Sequence, residues 1–344
     1  MEKNRSAKIW RSILVLVLIL LINCIFLSPQ AYCKEDPMPK AMAFATHPVG
    51  SLFYALGSGL SKLFSSHLPT TVSVQPFTSA GAWFPMMDSG DLMLGIMNNY
   101  DPWAAYRAIE PYKEKYPGLR LLCTGGYLRL GYLVAAKSDY KVVSDLKGKR
   151  VAYGKGMPGQ RFWAEALLEA AGLEPGQDVK VVPTPNIVDP VRAIMDGRAE
   201  AGAAAVGMAA VQEASAKLGG VRYLPAANTP DEVRIVENAG PCDVCDGKKG
   251  PPGLAKDTPL VCMKINVLAS EHLSDAAAYQ LVKTVWDYNQ ELVKIHVAFR
   301  EWTHENMIYK KPVVPYHPGA IKFFKDKNLW TPELEKVQQG LLAK

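Results

Sequence analysis

Four short loops of this 344-residue chain combine hydroxyl, amide, guanidinium and glycine groups that can hold a small anion. They span residues 47–54, 78–82, 98–101 and 157–163, and each follows a predicted strand and precedes a predicted helix. Backbone N–H groups at a helix N-terminus are unsatisfied and favour negative charge, so such loops are typical ligand sites of open α/β sheets. The candidate ligand-binding residues are Gly50, Ser51, Tyr54, Thr78, Ser79, Gly81, Asn98, Tyr100, Gln160, Arg161 and Phe162.

Several of these residues offer distinct ways to hold an acidic group. The hydroxyls of Thr78 and Ser79 can donate to carboxylate oxygens without any charge. Arg161 carries a planar guanidinium that can hold a carboxylate with two parallel hydrogen bonds, and Phe162 or Trp163 can supply an aromatic wall. The sequence leaves a second role open for each polar group, because hydroxyls also cap helices and an arginine also lies on solvated helix turns.

An alternation of short apolar strands and amphipathic helices is predicted to position these loops. Residues 42–45 indicate a buried strand, and the apolar residues of 52–64 recur at the spacing of one buried helix face. Asp101 is predicted to cap a helix that begins at Pro102, and His47 is predicted to lie in a loop. The βαβα order favours an α/β fold of largely parallel sheets flanked by helices.

The N-terminus has the pattern of an export signal, predicted over residues 1–33. A basic segment precedes the apolar run 13–27, and Ala31 and Cys33 fit a cleavage site before Lys34. The alternative is lipid attachment at Cys24, which would tether the protein. Cleavage leaves 311 residues with a net charge of about +3, too weak to favour nucleic acid, and long enough for two lobes. We therefore expect a periplasmic protein.

Four cysteines remain after cleavage, and an exported chain meets an oxidising compartment. Cys242 and Cys245 are predicted to form a local disulfide that staples an irregular insertion over residues 226–259. Zinc is the alternative for this pair, but it needs four ligands and no second pair follows, so we expect no metal. Cys123 and Cys262 lie in apolar strand contexts, where either buried thiols or a second bridge would fit.

Enzyme signatures are scarce in this sequence. It contains no Gly-x-Ser-x-Gly, no Walker loop and no His-Glu-x-x-His motif. The glycines at 154, 156 and 159 have dinucleotide-binding spacing, but no acidic residue ends a strand about 20 residues later, as ribose binding requires. We expect neither a cofactor nor enzymatic activity.

Several segments, taken in order, resemble the TAXI-type solute receptors of TRAP transporters. The similarity runs from about residue 42 to 326. Its segments are 50–57, 75–81, 88–92, 144–151, 158–159, 193–201 and 315–320. The residues that follow Pro158-Gly159 depart from the small residues usual in that family, and favour a roomier or more aromatic site.

The resemblance implies a two-lobe periplasmic binding protein of the type II, Venus-flytrap class. Lobe 1 is then formed by residues 38–125 and 266–344, and lobe 2 by residues 126–265. The implied function is capture of a small anionic solute, such as a dicarboxylate, an acidic amino acid or an aromatic acid, and its delivery to the membrane permease of a TRAP transporter. Alternatives are a receptor for an ATP-driven importer or a sensor kinase, and an exported redox or metal protein that uses Cys242 and Cys245.

Overall fold

The computed structural model describes residues 38–343, in which ten strands form one mixed sheet and ten α-helices pack against it. The strands are β1 Ala41–Thr46, β2 Thr71–Pro76, β3 Leu94–Met97, β4 Leu119–Ala135, β5 Arg150–Tyr153, β6 Lys180–Pro183, β7 Ala201–Ala205, β8 Val221–Tyr223, β9 Asp243–Gly247 and β10 Thr258–Ser270. The helices are α1 Leu52–His67, α2 Phe84–Ser89, α3 Tyr100–Arg107, α4 Pro158–Ala170, α5 Asp189–Met195, α6 Ala209–Leu218, α7 Pro230–Asn238, α8 Asp275–Val293, α9 Pro318–Asp326 and α10 Pro332–Leu342. Short 3₁₀ turns lie at Ala80–Ala82, Val143–Leu146, Val297–Glu301 and His304–Met307.

The sheet has two groups of parallel strands joined by two antiparallel strands. Its order is β2-β1-β3-β10-β4-β7-β5-β6, with β9 paired to β10 and β8 paired to β4. In one group β1 runs parallel to β2 and β3, and in the other β5 runs parallel to β6 and β7. The predicted parallel pairs therefore form, whereas β4 and β10 make the sheet mixed.

Strands β4 and β10 join the two groups, because β10 pairs with β3 of the first group and β4 pairs with β7 of the second. They pair with each other along most of their 17 and 13 residues, and their register shifts between Lys264 and Asn266. Beside this shift, a Cβ on Gly125 would lie 2.1 Å from the Trp302 ring, so only glycine allows the Val297–Glu301 turn and its following tryptophan to pack so closely. The lobe limits predicted from the sequence stay a proposal, and one of them falls at this register shift.

Helix α1 forms as its apolar spacing predicts, and it covers β1. Ser51 caps its start, because its hydroxyl accepts a hydrogen bond from the Tyr54 amide at 3.1 Å. Leu56 and Leu60 are fully buried, and burial of each such side chain stabilises the fold by about 2 kcal/mol. The first turn of α1 is thereby held against the end of β1, where the candidate loop 47–54 lies.

The segment 226–259 is more regular than predicted. It contains α7, whose start is capped by the Thr229 hydroxyl, and β9, which pairs with β10. The irregular insertion expected from the composition of this segment is wrong, because pairing with β10 supplies the hydrogen bonds that its Asp- and Gly-rich sequence does not predict.

The disulfide differs from the predicted one. Cys245 is bonded to Cys262 on the neighbouring strand β10, and Cys242 is a buried thiol whose Sγ lies 3.3 Å from the carbonyl oxygen of Val236. The predicted Cys242–Cys245 pair is wrong because Cys242 lies just before β9, whereas Cys245 lies within β9, whose pairing with β10 brings it beside Cys262. Cys123 is a second buried thiol.

The predicted signal over residues 1–33, including Cys24, lies outside the described residues. Within residues 38–343, no helix has both the length and the apolar character that crossing a membrane would require.

Candidate functional site

A cavity of about 50 Å³ lies where the two strand groups face each other. It is lined from one side by the loops that follow β1, β2 and β3, and from the other by the loops that follow β5, β6 and β7. Leu128 and Leu130 of β4 complete its wall. The loops at the carboxyl ends of parallel strands thus meet here, as in other open α/β folds.

Four helices of eight or more residues begin at this cavity. Leu52 and Phe53 are the first residues of α1, Gly159 lies in the first turn of α4, and Met208 immediately precedes α6. Helices α1, α4 and α6 have no acidic residue in their first turns. Their N-termini therefore contribute positive partial charge to the cavity.

The fourth helix, α3, brings a carboxylate to the cavity. Asp101 is only 2 % exposed and accepts a hydrogen bond from the Tyr112 hydroxyl at 2.8 Å. It also accepts hydrogen bonds from the Gly159 backbone amide and from Asn98. Burial raises the pKa of Asp101 to about 6, although these hydrogen bonds oppose the shift. The predicted capping role is wrong: α3 begins at Tyr100, and Asp101 lies inside its first turn.

His47 is the most unusual polar group of the cavity. It is 4 % exposed, and neither ring nitrogen has a hydrogen-bonding partner among the residues that the structure describes. Its ring packs against the Phe53 ring, with centroids 5.2 Å apart. Burial lowers the pKa of His47 to about 4, so the imidazole is neutral at pH 7.

Three of the predicted site residues line the cavity: Ser79, Asn98 and Gln160. The Asn98 side-chain oxygen accepts a hydrogen bond from the Tyr100 amide at 2.8 Å and thereby caps the start of α3. Gln160 braces the opposite wall, because its side chain accepts from the Gly154 amide at 2.7 Å and donates to the Ala203 carbonyl at 3.4 Å. Both side chains are buried.

The structure places the other predicted site residues outside the cavity wall. Arg161 points along the surface of α4, where its Nε lies 3.0 Å from the Glu165 carboxylate. Phe162 stacks on Tyr100, with ring centroids 4.2 Å apart and planes at 13°. The remaining residues in this group are Gly50, Ser51, Tyr54, Thr78 and Gly81.

Sequence patterns do not single out Met208 as a cavity residue, and they include His47, Asp101 and Met157 only as members of the candidate loops. Trp163, which the sequence offers as an alternative to Phe162 for the aromatic wall, does line the cavity. Met157 and Trp163 lie in the same candidate loop as the predicted Gln160. Their position in that loop is the sequence feature that could have identified them. Trp83 and Trp103 do not line the cavity.

A second, basic cleft of about 200 Å³ adjoins the cavity at Leu52, which lines both. Arg129 is paired with Glu301 at 2.8 Å, and Lys248 is paired with Asp246 and Asp257. The other basic residues that line this cleft are Lys249 and Arg300. An anion that approaches through this cleft meets an excess of positive charge.

Comparisons with known proteins place the chain within one sequence family and one fold. A family model described as "NMT1-like family" matches residues 44–327. A search of curated proteins found no match. The structure is similar to PhnD1 from Prochlorococcus marinus in complex with methylphosphonate, with a TM-score of 0.54 and 13 % identity over 85 % of this chain and 99 % of that chain.

It is also similar to a structure described as a periplasmic transporter, with a TM-score of 0.56 and 12 % identity over 90 % of this chain and 97 % of that chain. These likenesses confirm the predicted α/β, two-lobe fold of periplasmic binding proteins.

Proposed function

Because the chain belongs to the NMT1-like family and has the two-lobe fold of periplasmic binding proteins, we propose that it is an extracytoplasmic receptor for a small acidic solute. The observation that carries the proposal is the cavity between the strand groups, at which four helices begin and the polar ring of His47 is buried without a partner in the part of the chain that the structure describes. The likeness to a protein described in complex with methylphosphonate, a small anion, supports the ligand class. Binding alone needs no catalytic group, in agreement with the prediction that the chain is not an enzyme.

The size of the cavity supports a small ligand. One water needs about 10–15 Å³ of such space, so about 50 Å³ holds a solute of only a few heavy atoms. Among the predicted solutes, a short carboxylic acid fits this conformation better than an aromatic acid. Ser79, Asn98 and Gln160 are proposed to orient the solute, and the helix N-termini to bind its acidic group.

The two lobes are proposed to divide at residues 126 and 266 and to close on the solute about β4 and β10. A solute in the cavity touches loops from both strand groups, so it binds the closed arrangement more tightly than the open one. That difference in affinity drives closure. The residues beside the register shift between Lys264 and Asn266 are then the hinge.

Delivery to a membrane permease of the TRAP type is proposed from the resemblance of the sequence motifs. The alternative is an importer driven by ATP hydrolysis. Vesicles that contain the cognate permease separate the two: uptake driven by a sodium gradient without ATP supports the first, and uptake that requires ATP inside the vesicle overturns it.

The mass of the mature protein tests the periplasmic location, since a chain that begins at Lys34 is free and one modified at Cys24 is tethered.

Binding itself is tested with the mature chain and a panel of small acids. Trp163 lines the cavity and is 2 % exposed, so a bound solute is expected to change tryptophan fluorescence saturably. The panel includes acetate, succinate, glutamate, methylphosphonate and benzoate, with arginine as a cationic comparison. Trp163→Phe is the control: it should lose most of the fluorescence change while calorimetry still detects binding. A folded protein that binds none of these acids by calorimetry would overturn the proposal.

A further inference from the structure

We propose that the solute binds together with one proton, which the imidazole of His47 takes up from solvent as the acidic group of the solute arrives. This inference rests on the proposed receptor function and adds to it the charge state of the bound solute: an anion held against an imidazolium. No co-reactant other than the solvent proton is needed, and no covalent bond changes.

The position of His47 is the first argument. Its ring lies in the cavity wall, packed on Phe53, and both nitrogens are buried without partners among residues 38–343. A buried polar atom without a hydrogen bond is costly to the fold, so a group that remains in this state is expected to gain its partner from a ligand. The cavity described above adjoins it and offers space for such a ligand.

The charges around the cavity are the second argument. Its ionisable lining residues are His47 and Asp101, and the described residues that line it include no Lys or Arg. A solute anion would therefore share a buried space with the Asp101 carboxylate, and two like charges in such surroundings repel strongly. A proton on His47 offsets one of the two negative charges and gives the solute a charged hydrogen-bond donor.

Charged groups on the neighbouring elements do not supply the positive charge that this proton provides. From α1, His47 meets the uncharged Phe53. Across the cavity, Asp101 is held by the neutral Tyr112 hydroxyl and the Gly159 amide. Arg161 and Glu165 pair with each other on the outer surface of α4. Without ligand, burial keeps the pKa of His47 near 4, and a contacting anion raises it because it favours the charged ring.

Calorimetry measures the proton directly. The mature chain is titrated with succinate, glutamate and acetate at pH 7.5 in buffers of different ionisation enthalpy; the carboxyl groups of all three acids are fully ionised at this pH. For whichever of them binds, we expect an uptake of about one proton per bound solute. We also expect the affinity to fall about tenfold per pH unit from pH 7 up to the bound-state pKa of His47, and to become independent of pH above it.

Two variants locate the proton. His47→Gln keeps a polar side chain but cannot be protonated, so uptake should vanish and the affinity should become independent of pH. Asp101→Asn is the comparison: uptake should persist in it. If uptake persists in His47→Gln and vanishes in Asp101→Asn, the proton resides on Asp101 and the assignment to His47 is overturned.

Failure of the inference and failure of the receptor proposal give different results. Saturable binding without proton uptake overturns only the inference, whereas absence of binding across the panel overturns the receptor function. If His47→Gln does not fold, the histidine ring resonances of the wild-type chain supply the test. One of them should move from a neutral to a protonated position when solute is added at pH 7.5, and unchanged resonances overturn the inference.

Discussion

The carboxylate of Asp101, in the first turn of α3, accepts a hydrogen bond from the backbone amide of Gly159, in the first turn of α4. The two helices belong to opposite strand groups, so this bond joins the two sides of the cavity. A Cβ added to Gly159 would lie 2.1 Å from an Asp101 carboxylate oxygen and 3.3 Å from the Asn98 amide nitrogen. The absence of a side chain at Gly159 is what lets the two first turns approach.

Gly159→Ala is therefore expected to hold the two sides apart. Because a Cβ at 2.1 Å from a carboxylate oxygen cannot be accommodated without movement, we expect at least a tenfold loss of solute affinity. Small-angle scattering should show a larger radius of gyration in the presence of solute than for the wild type.

Gly156→Ala is the matched control for this substitution. Gly156 lies in the turn just before α4, and its added Cβ would have no atom of the described residues within 4 Å. Equal loss of affinity in the two variants would contradict the role assigned to the contact between Asp101 and Gly159.

Two adjacent residues of α4 are expected to respond differently to substitution. Gln160→Ala removes a buried hydrogen-bond partner of the Gly154 amide, which should cost about 1–3 kcal/mol of unfolding free energy and weaken solute binding. Arg161→Gln breaks only an exposed i,i+4 ion pair with Glu165, so its unfolding free energy should fall by less than about 0.5 kcal/mol, with affinity within twofold of wild type. Urea unfolding and calorimetry measure both quantities. A large loss of affinity in Arg161→Gln would instead support the carboxylate-binding role that the sequence predicts for Arg161.

The disulfide is expected to stabilise the mature chain. Cys245 and Cys262 are 17 residues apart, and closing a loop of this length is worth about 3 kcal/mol in the chain-entropy model. Replacement of both by serine should lower the unfolding free energy by about 2–4 kcal/mol, and reductant should then have no further effect.

Cys242→Ser is the comparison, because it leaves the bond intact and its stability should still fall when reductant is added. Peptide mapping without reduction should yield a fragment that links Cys245 to Cys262. A linked fragment that contains Cys242 would show that the bond is not the one in the structure.

Lys264 should make stability depend on pH in the alkaline range. It is 4 % exposed beside the register shift of β10, and its Nζ donates to the Gly125 carbonyl at 3.1 Å and to the Asn306 side chain at 2.9 Å. Burial lowers the pKa of Lys264 to about 8 from its ordinary 10.5, although Glu301 opposes the shift. Between these two pH values the unfolded chain binds more protons, so the contribution of Lys264 to stability rises with pH.

The difference in unfolding free energy between the wild type and Lys264→Met is the measurement. It should increase in favour of the wild type between pH 7.5 and 10, by about 3 kcal/mol at most. Lys256→Met, at an exposed site, controls for the other groups that titrate in this range. A difference that stays constant with pH would mean that Lys264 keeps an ordinary pKa.

The local elements of the fold followed from the sequence because their signals lie within a few residues. The apolar spacing of 52–64 predicts α1, and the strand-loop-helix order predicts the parallel pairs and the loops at their ends. Three of the eleven predicted site residues reach the cavity: Ser79 and Asn98 lie in such loops, and Gln160 lies in the first turn of α4.

The other features were decided by contacts between residues far apart in the chain. Arg161 points away from the cavity because Glu165 and the rotation of α4 direct it outward, and Cys245 meets Cys262 because β9 pairs with β10. His47 looks like an ordinary loop histidine in the sequence. Packing against Phe53 and closure of the loops from the opposite strand group bury it. Burial keeps its imidazole neutral, and no described residue supplies a hydrogen-bond partner. Periodicity determines which residues face a core, but charge state and accessibility depend on what the rest of the chain places beside them.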